Sequence, residues 1–148
     1  MDLKKESHEL LKRNRRVTAG HQYTVPSPTV YPYQWLWDSC FHSIILAQLE
    51  PEAAKAELRS LIVKQFADGM IPHVIFWEPT ITRPYHLAWR RASTSSITQP
   101  PMIAYAAWEI HRLSPDKKFL EDMYQPLLSF YKYLVEERDP QYRHLAGI

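Results

Sequence analysis

The segment Tyr31-Pro32-Tyr33-Gln34-Trp35-Leu36-Trp37-Asp38-Ser39-Cys40-Phe41-His42 places four large aromatic residues within seven positions, directly before a carboxylate and a helical pattern. A sugar ring presents an apolar C–H face and a belt of hydroxyl groups, so its binding site needs flat aromatic surfaces beside short acceptors. Trp37 and Asp38 supply one of each. The alternative is that the rings belong to the core and Asp38 is only a helix N-cap, and this segment alone leaves both interpretations open.

Apolar periodicity around this segment predicts helices joined in pairs. Asp38 or Ser39 is a suitable N-cap for a helix to about Glu50, and Pro51 suits the first turn of the next helix. The first half of the chain is predicted to form a surface helix at 2–16, an irregular or extended loop at 17–37, and helices at 38–50 and 51–67. The second half is predicted to form a long loop at 70–100, with a short strand at 74–77, and helices at 101–113 and 115–138. Ser114 is the predicted cap of the last helix, and Pro126 is expected to kink or split it.

The expected buried faces follow from the same periodicity. The apolar residues in helical register are, in chain order, Phe41, Ile44, Ile45 and Leu49; Leu58, Leu61, Ile62 and Phe66; Ile103, Ala106, Ala107 and Ile110; and Leu120, Met123, Tyr124, Leu127, Leu128, Tyr131, Leu134 and Val135. Short turns within pairs and long aromatic loops between pairs favour an all-α array of helical hairpins with about five helices. A solenoid of short identical repeats is disfavoured because the loops differ too much in length.

Composition limits the class of protein and its partners. The 148 residues suffice for one domain, and 45% hydrophobic with 23% charged residues is typical of a soluble globular chain. A net charge of +2 gives no argument for a nucleic-acid partner, and the single cysteine, Cys40, fits a reducing compartment. Residues 1–16 lack the apolar core of a signal peptide, and no apolar run reaches the roughly 20 residues of a membrane helix. We therefore expect a cytoplasmic protein without a membrane partner.

Two further segments lie beside helix ends. In Asp68-Gly69-Met70-Ile71-Pro72-His73, the histidine follows a helix end and a proline. His73 could donate to a substrate hydroxyl or be a satisfied loop histidine. In Ser96-Ile97-Thr98-Gln99-Pro100-Pro101, the Gln99 amide could bind a hydroxyl or a carboxylate, unless the segment only caps a helix. Loops at one end of a helical toroid converge on its central cavity, so the three segments could meet there.

Other chemistries find little support in the sequence. The histidines show no close metal-ligand spacing and Cys40 is alone, so we expect no metal site. The sequence has no glycine-rich phosphate loop and no serine nucleophile elbow. Three arginines near Tyr85 and Trp89 could bind an anionic end of a substrate or form solvated surface, namely Arg83, Arg90 and Arg91.

The three segments, in this order and register, resemble the mannosylglycerate hydrolases and their relatives in glycoside hydrolase family sixty-three, within the wider clan of six-hairpin, trehalase-like glycosidases. The resemblance implies a partial (α/α)6 toroid and hydrolysis with inversion at an α-linked glucose or mannose, without a cofactor. Mannosylglycerate or glucosylglycerate is the implied substrate, with trehalose or a small α-glucan as the alternative. The implied sugar subsite is lined by Tyr31, Trp35, Trp37, Asp38 and His73, with Gln99 toward the aglycone.

The family's general acid is an aspartate in a later Glu-Ser-Gly motif, and its general base is a glutamate further on. Neither motif occurs before Ile148. The resemblance therefore implies that residues 1–148 are the N-terminal part of a single toroid glycosidase domain, with no catalytic residue and no turnover by themselves. Such a part would expose apolar helix faces, and we expect it to self-associate. A non-catalytic carbohydrate-binding or helical scaffold module, complete as it stands, is the alternative.

Overall fold

The computed structural model describes residues 2–78 and 89–141, and helices dominate it. They are α1 (Leu3–Asn14), α2 (Leu36–Leu46), α3 (Pro51–Ile62), α4 (Ile103–Leu113) and α5 (Lys117–Glu136). Short antiparallel strands pair β1 (Arg15–Thr18) with β2 (His21–Thr24) and β3 (Gln34–Trp35) with β4 (Val74–Ile75). The predicted fold class is confirmed, with two small sheets added, and β4 confirms the predicted strand. None of these helices is long and apolar enough to cross a membrane.

A β-hairpin follows α1, where the sequence predicted the end of a helix and an irregular or extended loop. Arg15 pairs with Thr24 at its open end. The two turn residues, Ala19 and Gly20, have φ angles of 51° and 79°, as the tight turn of a twisted hairpin requires. Alanine rarely adopts this conformation, so Gly20 is the only one of the two turn residues that favours a tight turn. The sequence therefore does not predict a hairpin here.

Helix α2 begins at Leu36, so the prediction that Asp38 or Ser39 is its N-cap is wrong. Trp35 occupies the N-cap position and makes no capping bond with its side chain. The free N–H groups of the first turn are instead bound by distant parts of the chain, which removes the need for a local capping residue. Asp38 lies within this first turn, where the helix dipole still favours a carboxylate.

The buried face of α2 agrees only in part with the prediction, because Ile44 packs against the core and Leu49 is partly buried, whereas Phe41 and Ile45 are exposed. Phe41 and Ile45 are 46% and 41% exposed. The buried residues are Leu36, Ser39, Cys40, Ser43 and Leu46. Small side chains allow a close approach to α3, and the Ser43 hydroxyl donates to the Ser39 carbonyl oxygen at 2.7 Å. Hydrophobicity alone misassigns this face because polar partners on α3 fix the orientation of the helix.

Helices α3 and α4 follow the prediction closely. The four residues expected to face inward on α3 are fully or partly buried, namely Leu58, Leu61, Ile62 and Phe66. All four expected on α4 are buried, namely Ile103, Ala106, Ala107 and Ile110. Helix α3 ends five residues early, and the chain turns at Gly69, whose φ is 95°. A Cβ atom there would collide with the carbonyl oxygen of Ser129 on α5, so the turn requires glycine.

Helix α5 differs from the prediction at its start and on its buried face. Asp116 is its N-cap and accepts from the Phe119 N–H at 3.0 Å, whereas Ser114, the predicted cap, ends α4. The helix continues through Pro126 without being split. Its buried residues are Phe119, Met123, Phe130, Tyr133 and Leu134. Two residues expected to face inward, Tyr124 and Tyr131, are exposed. The apolar stripe of α5 is wider than the surface of the helix that the other described elements cover.

An apolar groove lies open between α4 and α5. It encloses about 380 Å³ and is lined by Ala104, Ala107, Trp108, Leu120, Met123, Tyr124, Leu127 and Leu128. The side chains of Trp108 and Tyr124 are more than half exposed. The described chain therefore leaves apolar helix surface uncovered on this side.

Two ionisable residues, the buried Glu57 on α3 and the partly buried His42 on α2, have pKa values shifted in opposite directions. Burial raises the pKa of Glu57 from 4.5 to about 7, although hydrogen bonds from Ser39 and Thr24 oppose this. Burial lowers the pKa of His42 from 6.5 to about 4. The stability due to neutral Glu57 is complete below pH 4.5 and is lost as the pH rises through 7. The stability due to neutral His42 is complete above pH 6.5 and is lost as the pH falls toward 4.

We expect these two contributions to offset each other between about pH 4.5 and 6.5. The Glu57 contribution to the unfolding free energy is about 3 kcal/mol. The His42 contribution is smaller, because His42 keeps some contact with solvent. Relative to wild type, the unfolding free energy of Glu57→Gln should therefore rise with pH across this interval, and that of His42→Gln should fall. Urea denaturation at several pH values measures both slopes. Parallel profiles for wild type and Glu57→Gln would contradict the raised pKa of this carboxyl.

Candidate functional site

A cavity of about 310 Å³ opens beside the N-terminal end of α2. Its lining residues are Pro26, Tyr31, Trp35, Trp37, Asp38 and Gln99. Five of these six are residues that the sequence analysis assigned to a sugar subsite or its neighbourhood. The volume lies at the lower end of the range for ligand pockets, roughly 300–1,000 Å³, and suits a small molecule.

Hydrogen bonds at the start of α2 hold the three predicted segments together. The Leu36 N–H donates to the His73 carbonyl oxygen at 3.0 Å. The next N–H, that of Trp37, donates to Gln99 Oε1 at 3.1 Å. The pairing of β3 with β4 places Trp35 of the first segment opposite Val74, which directly follows the second segment. The segments are therefore joined by the helix end itself and not only by packing.

The aromatic residues of the cavity present exposed rings to solvent. Tyr31 is 54% exposed and Trp37 is 41% exposed, so neither belongs to the core. Tyr31 contacts Trp35 edge to face, with ring centroids 6.0 Å apart. Trp37 lies at a tilt against Phe41, also at 6.0 Å. Ring contacts on one side and open space on the other leave flat apolar surface available to a ligand.

Asp38 contributes the carboxylate of the cavity. It is partly buried, and this burial raises its pKa above the ordinary value, while hydrogen bonds with its own backbone N–H and with Trp37 act in the opposite direction. Its position in the first turn of α2 places it near the positive end of the helix dipole. The group can accept hydrogen bonds from ligand hydroxyls.

Gln99 has one of its two amide atoms already engaged. Its Oε1 must face the Trp37 N–H, because only an acceptor can bind that group. The amide nitrogen is then the atom left to donate to a ligand in the cavity. One side chain therefore makes a structural contact through Oε1 and keeps a donor for a ligand at Nε2.

His73 lies behind the cavity and not in its lining. Its ring is buried, its Nδ1 is 2.5 Å from Ser95 Oγ, and burial lowers its pKa. The ring contacts Trp35 and Trp89 edge to face, with centroids 5.2 Å and 5.1 Å apart. His73 therefore supports the ring of Trp35, and the direct contact with sugar that the resemblance implies stays a prediction.

The sequence analysis missed two residues of the site, Pro26 and Gln34. Pro26 lines the cavity from the end of the hairpin, whose formation was not predicted. Gln34 is fully buried directly before Trp35. Its Nε2 donates to Ser60 Oγ at 2.7 Å, and its Oε1 accepts from Trp77 Nε1 at 2.8 Å. The available signal was a lone amide within an aromatic run, which suggests a buried polar side chain with partners.

The two described arginines of the predicted group, Arg90 and Arg91, do not line the cavity. Arg91 places its guanidinium over the Phe66 ring, 4.1 Å from the centroid, and Arg90 is exposed. Arg83 lies outside the described residues. Among residues 2–78 and 89–141, no group of three or more His, Cys, Asp or Glu side chains is arranged to hold a metal ion.

A second cavity lies between the hairpin and the end of β4. It encloses about 140 Å³, and charged and aromatic residues including Arg16, Tyr23 and Glu78 line it. This volume is below the usual range for ligand pockets, and none of the predicted site residues contributes to it. The cavity beside α2 is therefore the better candidate.

Comparison with known proteins shows to which family the chain belongs. Residues 31–148 match the family described as the mannosylglycerate hydrolase MGH1-like glycoside hydrolase domain. Mannosylglycerate hydrolase MGH1 of Selaginella moellendorffii is 35% identical over 145 residues, covering 90% of this chain and 30% of the relative. Glucosylglycerate hydrolase of Mycolicibacterium hassiacum is 33% identical over 136 residues, covering 78% of this chain and 30% of the relative. The chain thus spans about a third of the length of these relatives.

Solved structures extend the likeness to the fold. The structure of a family GH63 mannosylglycerate hydrolase from Thermus thermophilus, in complex with Tris and D-glycerate, superposes with a TM-score of 0.82 at 35% identity. It covers 97% of this chain, and this chain covers 35% of it. The mostly helical fold is consistent with part of a helical toroid, as the resemblance implies. The chain belongs to the family of mannosylglycerate hydrolase MGH1-like glycoside hydrolase domains.

Proposed function

We propose that this chain forms the sugar-binding part of an inverting glycoside hydrolase that acts on α-linked mannose or glucose in small molecules such as mannosylglycerate or glucosylglycerate. The observation that carries the proposal is the cavity beside α2, where exposed aromatic rings and a single carboxylate lie together. An apolar sugar face fits against Trp37, and Asp38 accepts from its hydroxyls.

Gln99 and His73 complete the proposed subsite in different ways. The Gln99 amide nitrogen donates to a sugar or aglycone oxygen, since Oε1 is held by the Trp37 N–H. His73 holds Trp35 in place through an edge-to-face contact and is the least direct of the proposed sugar ligands. Arg83 stays a candidate for a glycerate carboxylate, whereas Arg91 is engaged with Phe66.

The proposed context is the cytoplasm, with residues 1–148 forming the N-terminal part of one toroid domain. The family match and the relatives' greater length favour an enzyme over a self-sufficient binding or scaffold module. The module alternative requires sugar binding without hydrolysis in the natural gene product. Assays of that product against mannosylglycerate, glucosylglycerate and trehalose separate the two and rank the substrates.

We expect Trp37→Ala and Asp38→Asn each to weaken mannosylglycerate binding by about tenfold, as the loss of a stacking surface or of charged hydrogen bonds implies. Isothermal titration calorimetry on the chain measures this. Trp108→Ala is the matched control, because it removes an exposed tryptophan in the groove between α4 and α5. Unchanged affinity in both site variants, or an equal loss in the control, would overturn the proposed subsite.

We expect no glycosidase turnover from the chain alone. Inversion needs two carboxyl groups about 6.5–9.5 Å apart, one to protonate the leaving oxygen and one to activate water. Among the described residues that line the cavity, Asp38 alone carries a carboxyl group. Mannose release from mannosylglycerate is the assay, with the Thermus thermophilus hydrolase as positive control. Hydrolysis that survives repeated purification and is lost in Asp38→Asn would refute this expectation.

We also expect the chain to self-associate through the apolar groove between α4 and α5, since Trp108 and Tyr124 leave apolar surface open to water. Size-exclusion chromatography with light scattering should give a mass above 17.5 kDa at high protein concentration. The double variant Trp108→Asp, Tyr124→Asp should shift the chain toward the monomer, whereas Tyr31→Asp should not. A stable wild-type monomer would contradict the expectation.

A further inference from the structure

The candidate cavity has two walls that come from different parts of the chain. Pro26 forms one wall, just after strand β2 of the hairpin. Trp35, Trp37 and Asp38 form the other, at the start of α2. The distance between these walls determines the width of the cavity, so a group that binds both of them controls its shape.

Glu57 on α3 binds both walls through one atom. Its Oε1 accepts from the Thr24 backbone N–H at 3.0 Å and from the Ser39 hydroxyl at 2.6 Å. Thr24 precedes Pro26 by two residues, and Ser39 directly follows Asp38. A single carboxylate oxygen therefore joins the hairpin wall to the helix wall.

Neighbouring contacts strengthen this link on each side. On the hairpin side, the Val25 N–H donates to the Asn14 carbonyl oxygen at 3.1 Å, and Asn14 Nδ2 donates to the Pro26 carbonyl oxygen at 3.1 Å. On the helix side, Gln34 Nε2 donates to Ser60 Oγ at 2.7 Å, three residues along α3 from Glu57. Glu57 thus occupies the centre of a buried polar layer.

Burial of the Glu57 carboxyl group is unfavourable in free energy. The side chain is fully buried, its Oε2 has no hydrogen-bond partner among the described residues, and its pKa is raised to about 7. A buried acid with an unsatisfied oxygen is generally less favourable than an apolar side chain of similar volume. A role in fixing geometry explains why a hydrogen-bond acceptor occupies the position.

We propose that Glu57 is a positioning residue of the sugar cavity, which sets the separation of the Pro26 wall from the Trp37–Asp38 wall through Thr24 and Ser39. Its effect on sugar affinity rests on the proposed function, whereas its effect on the geometry of the walls does not. Glu57 does not line the cavity, so it acts on a ligand through other residues.

Ser39→Ala and Ser43→Ala form the matched test on α2. Both serines are fully buried on the same helix, but only Ser39 donates to Glu57, whereas Ser43 donates to a carbonyl within the helix. In the chain labelled with ¹⁵N-tryptophan, Ser39→Ala should move the indole N–H resonances of Trp35 and Trp37, leave that of Trp108 in place, and weaken mannosylglycerate binding about fivefold. Ser43→Ala should do neither.

Substitutions at Glu57 complete the test. Glu57→Met removes the acceptor at similar volume and should move the same two resonances and weaken binding by tenfold or more. Glu57→Gln keeps an acceptor oxygen and should restore binding to within about threefold of wild type. Should Glu57→Met fail to fold, Ser39→Ala and Glu57→Gln still decide the matter.

The outcomes separate this inference from the proposed function. Resonances of Trp35 and Trp37 that stay at their wild-type positions in Ser39→Ala overturn the positioning role. Equal shifts in Ser39→Ala and Ser43→Ala overturn it as well. If the wild-type chain binds no mannosylglycerate while the two resonances move as expected, the proposed ligand is wrong and the positioning role of Glu57 stands.

Discussion

The first turn of α2 depends on hydrogen bonds that come from outside the helix. Its N-cap, Trp35, offers no side-chain acceptor, so the backbone N–H groups of the first turn need partners elsewhere in the chain. Leu36 finds the carbonyl oxygen of His73, and Trp37 finds the side chain of Gln99. These partners come from the two other segments singled out in the sequence. Satisfying this helix end therefore brings the segments of the cavity together, and an apolar residue in place of Gln99 would leave the Trp37 N–H without its acceptor.

The buried polar layer between α2 and α3 adds direction to this assembly. Apolar packing alone permits a helix to rotate or slide, because methyl groups have no preferred partner. The hydrogen bonds from Ser39 to Glu57 and from Gln34 to Ser60 form in only one orientation of α2 against α3. That constraint turns the small face of α2 toward α3 and leaves Phe41 exposed near Trp37. Each such bond contributes about 1 kcal/mol net, but leaving a buried partner unmatched costs more, which is why the arrangement is specific.

The sequence predicts the elements that follow simple periodicity and misses those set by tertiary contacts. The inward residues of α4 are predicted without error because Ile103 and Ile110 face a purely apolar core. The face of α2 is partly mispredicted because Ser39 turns inward to donate to Glu57. The sequence does not indicate that this ionisable residue of α3 is buried. The hairpin is missed because Ala19 adopts a conformation that alanine seldom takes. The lining of the cavity was anticipated more fully: Trp37, Asp38 and Gln99 were named from their chemical types, and Tyr31 and Trp35 from the family resemblance. Pro26 was not, because its place depends on the hairpin.

The environment of Asp38 favours recognition of a sugar over proton transfer to it. Burial raises the pKa of Asp38 above its ordinary value, and the hydrogen bonds with its own backbone N–H and with Trp37 only partly oppose that shift. Inverting hydrolysis needs a general acid that retains a proton at neutral pH. It also needs a second carboxyl across the scissile bond, and no other described residue of the cavity lining carries one. A carboxylate beside stacked rings, fixed by a helix end, is suited to accept hydroxyl hydrogen bonds.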